Sequence, residues 1–413
     1  MPKTADGTRS LSAAKNMPTF DFPRYELIDD AVLAERIERV RAEFGSRLLI
    51  LGHHYQQDAV LAHADLRGDS YGLSESAAKN ETCEAIVFCG VHFMAETADI
   101  LANRPERLAA RGGRRMPVVL PDLAAGCSLA DMADIEQVEN CWRQLSDVID
   151  IGEVLPITYV NSAASLKAFC GRHGGIVCTS ANARAVLDWA FNASAKDSCS
   201  VGQVAAERFL GDSGHNKRCR RVLFFPDQHL GRNTAKAMGV PLTEMPLWDP
   251  SQEQLGGNTA DAVRRSRVIL WNGCCSVHQM FLPQHVAWFR AKYPDIKIIV
   301  HPECMMEVVD LADLAGSTGK IICAVEEAPP GTRWAIGTEL HLVDRLRRAH
   351  PEQEIHLLSS VACTCSTMDR IDLAHLCWSL ENLAAGTPVN VIEVEPDVAR
   401  WALVALQRML EVK

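Results

Sequence analysis

The sequence has no long hydrophobic run and no long run of basic residues. Its apolar segments fall short of the roughly 18 to 20 residues that cross a bilayer, so we expect no membrane partner. Aspartate and glutamate (52) outnumber lysine and arginine (42), and the formal net charge is -10. The basic residues cluster only in short segments such as residues 111–115. This balance argues against nucleic acid or an anionic membrane surface as the main partner.

The sequence also lacks the apolar signal of secreted proteins and the cysteine spacing of zinc sites. Residues 1–18 are polar, which predicts a cytoplasmic protein. The odd number of cysteines, 15, favours free thiols or metal ligands over disulfides. Structural zinc sites use cysteine pairs separated by about two to four residues. The close pairs here are Cys274-Cys275 and Cys363-Thr-Cys365, so zinc is not favoured.

Three cysteines lie at the ends of predicted strands. Residues 268–271 form an apolar run, an Asn-Gly turn follows, and Cys275 comes next with a serine after it. The same order of apolar run, turn residues and a cysteine-serine pair recurs twice and ends at Cys127 and at Cys365. Loops that follow parallel strands are where α/β sheets keep their functional sites.

A longer pattern is also repeated three times. Strands are predicted at residues 48–51, 154–160 and 296–300, and each runs directly into polar residues. A helix follows, and then, at a similar interval, comes a serine: Ser70, Ser180 or Ser317. Each unit continues through a strand, a helix and a strand to its cysteine. The repetition predicts a triplicated α/β fold with parallel sheets and helices on both faces.

The length of 413 residues allows two or three domains. We predict three pseudo-symmetric three-layer αβα domains, each with a short parallel sheet and with the active site at their common interface. Their ranges are 45–127, 128–275 and 276–365, and the second carries insertions near 192–221 and 248–265. Residues 1–44 are predicted to form a leader, mobile to about residue 28, and a helix. Residues 366–413 are predicted to form helices that pack on the first or last unit.

Three thiolates that meet at such an interface suit an iron-sulfur cluster. Three cysteines bind three corners of a cubane and leave the fourth iron without a protein ligand. An open iron is a Lewis acid that helps to expel water. A fourth thiolate from Cys274, Cys304 or Cys363 would instead close an electron-transfer cluster. A single buried cysteine is ordinarily an apolar packing residue, and only the threefold repetition favours ligation.

Two other groups of recurrent residues suit an anionic substrate and proton transfer. Hydroxyl groups at predicted helix starts can bind phosphate or carboxylate, although each could simply be an N-cap; these are Ser70, Ser180, Ser317 and Thr318. Side chains directly after the first strand of a unit can carry protons or bind polar groups; these are His53, Tyr55, Tyr159, Asn161, His301 and Glu303.

These motifs, in this order, resemble those of the quinolinate synthase family over about residues 45–370. The matching segments are 53–56 (HHYQ), 68–70 (GDS), 93–96 (FMAE), 126–127 (GC), 159–162 (YVNS), 178–183 (CTSANA), 226–231 (PDQHLG), 272–278 (NGCCSVH), 300–304 (VHPEC), 316–319 (GSTG) and 337–339 (GTE). The chain differs from the shorter members in its expanded second unit and its leader, and neither difference touches a motif.

The resemblance implies an enzyme of NAD biosynthesis, a transferase that condenses iminoaspartate with dihydroxyacetone phosphate. The product is quinolinate, and phosphate and two waters are lost. One [4Fe-4S] cluster per chain is implied on Cys127, Cys275 and Cys365. Aspartate oxidase is implied as the supplier of iminoaspartate.

The resemblance also implies roles for individual residues. His53 and Tyr55 would shuttle protons, and His301 with Glu303 would serve carbon-carbon bond formation and dehydration. The four helix-start hydroxyls would hold phosphate and carboxylates, and Tyr159 with Asn161 would close the pocket.

Two other functions remain open from the residues alone. A redox sensor or electron carrier would need four essential cysteines, and it would not need Tyr55 or Glu303. A metal-free phosphosugar lyase or transferase would use the hydroxyls and would tolerate loss of the three cysteines.

Overall fold

The computed structural model describes residues 20–192 and 221–412 and contains an α/β fold with three sheets. The strands are β1 (Leu48–His53), β2 (Leu66–Gly68), β3 (Ala85–Cys89), β4 (Val118–Val119), β5 (Val154–Tyr159), β6 (Ile176–Cys178), β7 (Arg221–Phe225), β8 (Leu247–Trp248), β9 (Val268–Trp271), β10 (Lys297–Val300), β11 (Leu314–Ala315), β12 (Arg333–Gly337), β13 (Glu354–Leu357) and β14 (Val391–Ile392). The predicted α/β class with parallel sheets is confirmed.

Helices separate most of the strands. They are α1 (Asp30–Phe44), α2 (Asp58–Leu61), α3 (Ser70–Lys79), α4 (His92–Ala102), α5 (Pro105–Ala110), α6 (Ile135–Ser146), α7 (Ala164–Arg172), α8 (Ala183–Asn192), α9 (Gln228–Ala237), α10 (Ala260–Arg265), α11 (Pro283–Lys292), α12 (Met306–Leu311), α13 (Thr318–Glu326), α14 (Leu340–Ala349), α15 (Leu373–Ala384) and α16 (Pro396–Glu411). None of these helices has the length and apolar character needed to cross a membrane.

The three sheets share the order of four of their strands, while the first two sheets each carry a fifth strand at one edge. The first sheet runs β14-β4-β3-β1-β2, the second β6-β5-β7-β9-β8, and the third β11-β10-β12-β13. Only the β14–β4 pair is antiparallel among these described pairs. Within each sheet the initial strand lies between the short strand that follows it and the third strand. This arrangement has a switch point beside the initial strand, where α/β sheets leave a crevice for ligands.

The initial strands form because their sequences are apolar on both faces. All six residues of β1 and all six of β5 are buried, as expected for parallel strands covered by helices on both sides. The short strands β2, β6 and β11 were not predicted, because two or three residues carry no periodic signal. Each of them is followed, two residues after its end, by one of the predicted serines.

The two ends of the described chain pack on the sheets in different ways. The leader was predicted to be mobile to residue 28, but Tyr25 is buried and its hydroxyl contacts Glu381 on α15. Helix α16 packs mainly on α7 of the second segment, with Arg408 donating to the Gly175 carbonyl, and it also contacts α4 of the first segment. Helix α15 contacts α2, and β14 pairs with β4, both in the first segment. The predicted leader up to residue 19 and the insertion at 193–220 lie outside the described residues.

The buried apolar residues form two clusters. One includes the first two sheets with the terminal helices, and the other includes residues between Val277 and Cys363 around the third sheet. Tyr55, Cys275 and Cys365 pack against both clusters. The residues predicted for the site therefore lie at the boundary between the third segment and the rest of the chain.

Candidate active site

One cavity receives side chains from all three sheets. It spans about 670 Å³ when the part open to solvent is included. Twelve of the predicted site residues line it: His53, Tyr55, Ser70, Cys127, Tyr159, Asn161, Ser180, Cys275, His301, Glu303, Thr318 and Cys365. The strand ends deliver them there because the carboxyl ends of parallel strands in one sheet share an edge.

The three repeated cysteines come together in this cavity from three separate sheets. Cys127 follows β4, Cys275 follows β9 and Cys365 follows β13. Burial raises the pKa of the Cys127 thiol to about 12, and Cys365 adds to the effect. Burial also raises the pKa of Cys275, with contributions from Glu303, Cys127 and Cys365. All three thiols line the same cavity, and buried thiols with raised pKa values ionise readily only when a metal binds them.

The alternative thiols face elsewhere. Cys304 is fully buried, and its Sγ lies 3.7 Å from the Gly337 carbonyl oxygen. The Sγ of Cys363 lies 3.3 Å from the Val361 carbonyl oxygen. Cys274 is only partly buried and contributes no side chain to the cavity. Within the part of the chain that the structure describes, no fourth cysteine lines the cavity. The donor set thus fits a cluster held at three corners and does not fit a closed one.

Tyr55 links the first sheet to the third segment. Its hydroxyl lies 2.9 Å from Thr338 Oγ1 and 3.1 Å from Thr318 Oγ1. Burial raises the pKa of this phenol far above its ordinary value. The Tyr55 backbone N–H donates to Nδ1 of His53 at 3.2 Å, so Nε2 carries the hydrogen when that ring is neutral. Burial is the main cause that lowers the pKa of His53 to about 3, and the neighbouring His54 is the second. His53 is therefore neutral near pH 7.

Glu303 is a buried carboxylate between two histidines. Its Oε2 lies 2.7 Å from Nδ1 of His278 and 3.3 Å from Nδ1 of His301. Burial acts to raise the pKa of Glu303, but His301 and His278 outweigh it and hold the pKa below its usual range. Burial lowers the pKa of His301. The rings of His278 and His301 are stacked with centroids 4.5 Å apart.

Two residues of this network were not assigned a role from the sequence. Thr338 is fully buried, and its hydroxyl lies 3.3 Å from Nε2 of His278 as well as near Tyr55. The contacts run from Tyr55 through Thr338 and His278 to Glu303. Both residues belong to quoted motifs, but their contacts join distant parts of the sequence. A strand-end pattern alone gave no signal for them.

The predicted hydroxyl groups take different positions. Ser70 begins α3, Thr318 begins α13, and Ser180 precedes α8, and all three line the cavity. Ser317 is not among the lining residues; it is the N-cap of α13 and accepts from the Lys320 N–H at 3.4 Å. Asn161 reaches the cavity with its Oδ1 buried and without a hydrogen-bond partner. Free N–H groups of helix starts and this amide are available to a polar ligand.

The lining contains no lysine or arginine among the residues that the structure describes. Anion binding at the surface of this cavity therefore depends on hydroxyls, helix N-termini and any metal ion. The ligand atoms of Cys275, His278 and Glu303 lie within 4.8 Å of one another, so this corner can also hold a metal ion. Thiolates are the donors that iron-sulfur clusters prefer.

Comparison with known proteins identifies the family. A family model described as Quinolinate synthetase A protein matches residues 35–200 and 205–411. A protein of Rhodopirellula baltica named quinolinate synthase is 61% identical over 389 residues, covering 94% of this chain and 93% of that protein. Relatives of the same name from Corynebacterium glutamicum and Acidobacterium capsulatum are each 48% identical, covering 94% and 97% of this chain and 89% and 99% of their own lengths. The chain therefore belongs to the quinolinate synthase family.

Proposed function

We propose that this chain condenses iminoaspartate with dihydroxyacetone phosphate to quinolinate, as a transferase of NAD biosynthesis. Phosphate and two waters are lost in the reaction. The observation that carries the proposal is the convergence of Cys127, Cys275 and Cys365, from three sheets, on one cavity that also holds Tyr55 and Glu303. The substrates come from the resemblance to the family, and the lining chemistry supports them.

One [4Fe-4S] cluster per chain would be held by Cys127, Cys275 and Cys365. When bound, it would supply an open iron that acts as a Lewis acid toward a hydroxyl or carboxylate and assists the loss of water. The remaining tasks fall to the side chains of the cavity. They must bind two anionic substrates, exclude bulk water and move protons.

Proton transfer is proposed for two pairs of residues. His53 is kept neutral by burial, and because its Nδ1 accepts from the Tyr55 N–H, its Nε2–H is the group that can give a proton. The adjacent Tyr55 hydroxyl can pass a proton through Thr338. Glu303 is held ionised by its two histidines, so it can remove a proton as the new carbon-carbon bond forms. His301 would return a proton to a departing hydroxyl during dehydration.

Substrate binding is proposed for the hydroxyl groups and for Tyr159 with Asn161. Ser70, Ser180 and Thr318 would bind phosphate and carboxylate oxygens at helix starts. Ser317 would act indirectly: as the N-cap of α13 it orders the first turn of the helix, whose free N–H groups would bind the anion. Burial raises the pKa of the Tyr159 phenol, and Glu303 adds to it, so Tyr159 stays protonated and can donate. Together with Asn161 it would close the pocket over the intermediate.

The wider organisation belongs to the same proposal. Three pseudo-symmetric αβα domains at residues 45–127, 128–275 and 276–365 would surround the cavity, with 1–44 and 366–413 packed outside. The shared strand order supports this arrangement. A cytoplasmic location and a supply of iminoaspartate by aspartate oxidase rest on the family resemblance.

An activity assay tests the proposed reaction. Anaerobically purified protein, dihydroxyacetone phosphate and freshly generated iminoaspartate should give quinolinate and phosphate in equal amounts, and omission of either substrate should abolish both. Cys365→Ala serves as the inactive control. A wild-type preparation that contains its cluster and forms no quinolinate would contradict the proposal.

A further inference from the structure

Lys167 is a fully buried lysine that none of the roles above uses. It lies on α7 with no exposed surface, and its Nζ donates to the carbonyl oxygen of Ser162. The same Nζ lies 5.4 Å from the centroid of the Phe93 ring on α4. Phe93 and Asn161, the residue before Ser162, both line the cavity. The ammonium group therefore lies directly behind the cavity wall.

The turn that Lys167 contacts is held by further hydrogen bonds. Ser162 Oγ donates to the Tyr159 carbonyl oxygen at 2.8 Å, and Thr158 Oγ1 donates to Ser162 Oγ at 2.9 Å. These bonds fix the backbone that carries Tyr159 and Asn161 into the cavity. Lys167 completes this network, because it binds the carbonyl group of the residue that ends the turn.

Glu96 is the acidic neighbour of this lysine. It lies on α4, and its Oε2 accepts from the N–H of Ala164, the first residue of α7, at 2.9 Å. Burial lowers the pKa of Lys167 to about 8, and Glu96 acts in the opposite direction. The lysine therefore carries its charge near neutral pH. Buried lysines are rare because an unpaired charge is costly to bury.

The cavity itself has negative groups and no cationic side chain among its described lining residues. The carboxyl-bearing residues Asp69 and Glu303 both line it. The proposed substrates carry carboxylates and a phosphate, so a doubly charged ligand needs a compensating positive potential. A buried charge acts over several ångströms because little water screens it. Lys167 is placed to supply that potential through Phe93 and Asn161.

We propose that Lys167 is a specificity-determining residue, whose buried ammonium favours doubly charged over singly charged anions in the cavity. The inference rests on the proposed function. It concerns the choice among ligands and not the chemical steps. Lys167 contacts the Ser162 carbonyl and the Phe93 ring, and neither group takes part in the proposed chemistry. It therefore acts through the turn and through its electric field.

The test compares two pyridine carboxylates that differ by one carboxylate. Quinolinate is the dianion and picolinate is the monoanion, and their dissociation constants are measured by calorimetry on anaerobically purified, cluster-containing protein near pH 7. In Lys167→Met the preference for quinolinate over picolinate should fall about fivefold, the size expected for one partly screened charge. The ratio of two affinities does not depend on the fraction of folded protein, so a loss of folded protein alone would leave it unchanged.

Glu96→Gln is a second variant, which should change the preference for quinolinate over picolinate in the opposite direction. It keeps an oxygen for the Ala164 N–H and removes the neighbouring negative charge, so the preference for quinolinate should rise by a similar factor. This variant carries the test if Lys167→Met does not fold. Arg408→Met is the control, because it removes a buried cation that binds the Gly175 carbonyl and lines no part of the cavity, and it should leave the ratio unchanged.

Opposite shifts in the two variants support the inference. Unchanged ratios, or shifts in the same direction, overturn it while leaving the proposed function intact. A wild-type protein that binds neither ligand would overturn the proposed function, and the inference with it.

Discussion

At the residue scale, a few polar atoms connect distant parts of the chain. The Tyr55 hydroxyl reaches Thr318 and Thr338, which lie more than two hundred residues further along the sequence. The Thr338 hydroxyl continues to His278, and His278 lies beside Glu303. These contacts join residues of the first and third segments of the chain in one buried cluster.

Replacing Tyr55 by phenylalanine removes one oxygen from this chain of contacts. We expect kcat to fall by about 100-fold or more, because general acid-base groups contribute at least that much. The iron content should stay at the wild-type level, since Tyr55 provides no ligand. Tyr293→Phe is the matched control, because Tyr293 packs on His356 outside the cavity. Full activity in Tyr55→Phe would remove Tyr55 from the mechanism.

Cys365 and Cys363 form a matched pair for testing the cluster ligands. Cys365→Ala should abolish both the brown chromophore and the activity, because two thiolates do not hold a cubane cluster. Cys363→Ala should keep both under anaerobic conditions, since its thiol contacts the Val361 carbonyl oxygen instead of the cavity. Absorbance spectra and iron assays measure the difference. A retained cluster in Cys365→Ala would show that the ligand assignment is wrong.

At the element scale, the strongest local patterns predicted their elements well. The apolar run at 268–271 is β9 with the same bounds, and the helix predicted within residues 1–44 is α1. Strands that are buried on both faces can be recognised in the sequence, because the whole run must be apolar. The short strands and the course of α16 were not predicted, because they depend on partners that are distant in the sequence.

The contact between α7 and α16 offers a stability test at this scale. A Cβ atom added at Gly171 would lie 1.9 Å from the Trp401 carbonyl oxygen, so the two helices would have to separate. We expect Gly171→Ala to lower the free energy of unfolding by about 3 kcal/mol, measured by urea denaturation.

A neighbouring variant shows how specific that effect is. Arg172→Ala removes a surface ion pair with Asp397 between the same helices, and it should cost less than about 1 kcal/mol. Equal losses for the two variants would mean that close backbone packing does not hold α16 in place.

At the scale of the whole molecule, the site is a meeting point of three sheets. The repeated cysteines could be selected from the sequence because each follows the last strand of a repeated pattern. His278 and Thr338 could not be selected in this way, since their importance comes from contacts across segments. Lys167, for which we propose a role in specificity, could not be selected either, because a lysine inside an apolar helix face gives no positive signal for a site.

A ligand bound by three sheets should stabilise the whole chain. Removal of the cluster by oxidation and chelation should lower Tm on the order of 5 °C, because a group that binds only the folded state shifts the unfolding equilibrium. Differential scanning calorimetry measures the change. In Cys365→Ala the same treatment should have no effect. A wild-type protein with the same Tm before and after removal would argue against ligands from three sheets.

The most direct measurement determines iron, sulfide and quinolinate synthesis on one anaerobic preparation. We expect about four irons and four sulfides per chain, together with quinolinate formed from iminoaspartate and dihydroxyacetone phosphate. Four irons without quinolinate would contradict the proposed reaction. A preparation that makes quinolinate without any iron would contradict the central claim that Cys127, Cys275 and Cys365 hold a cluster.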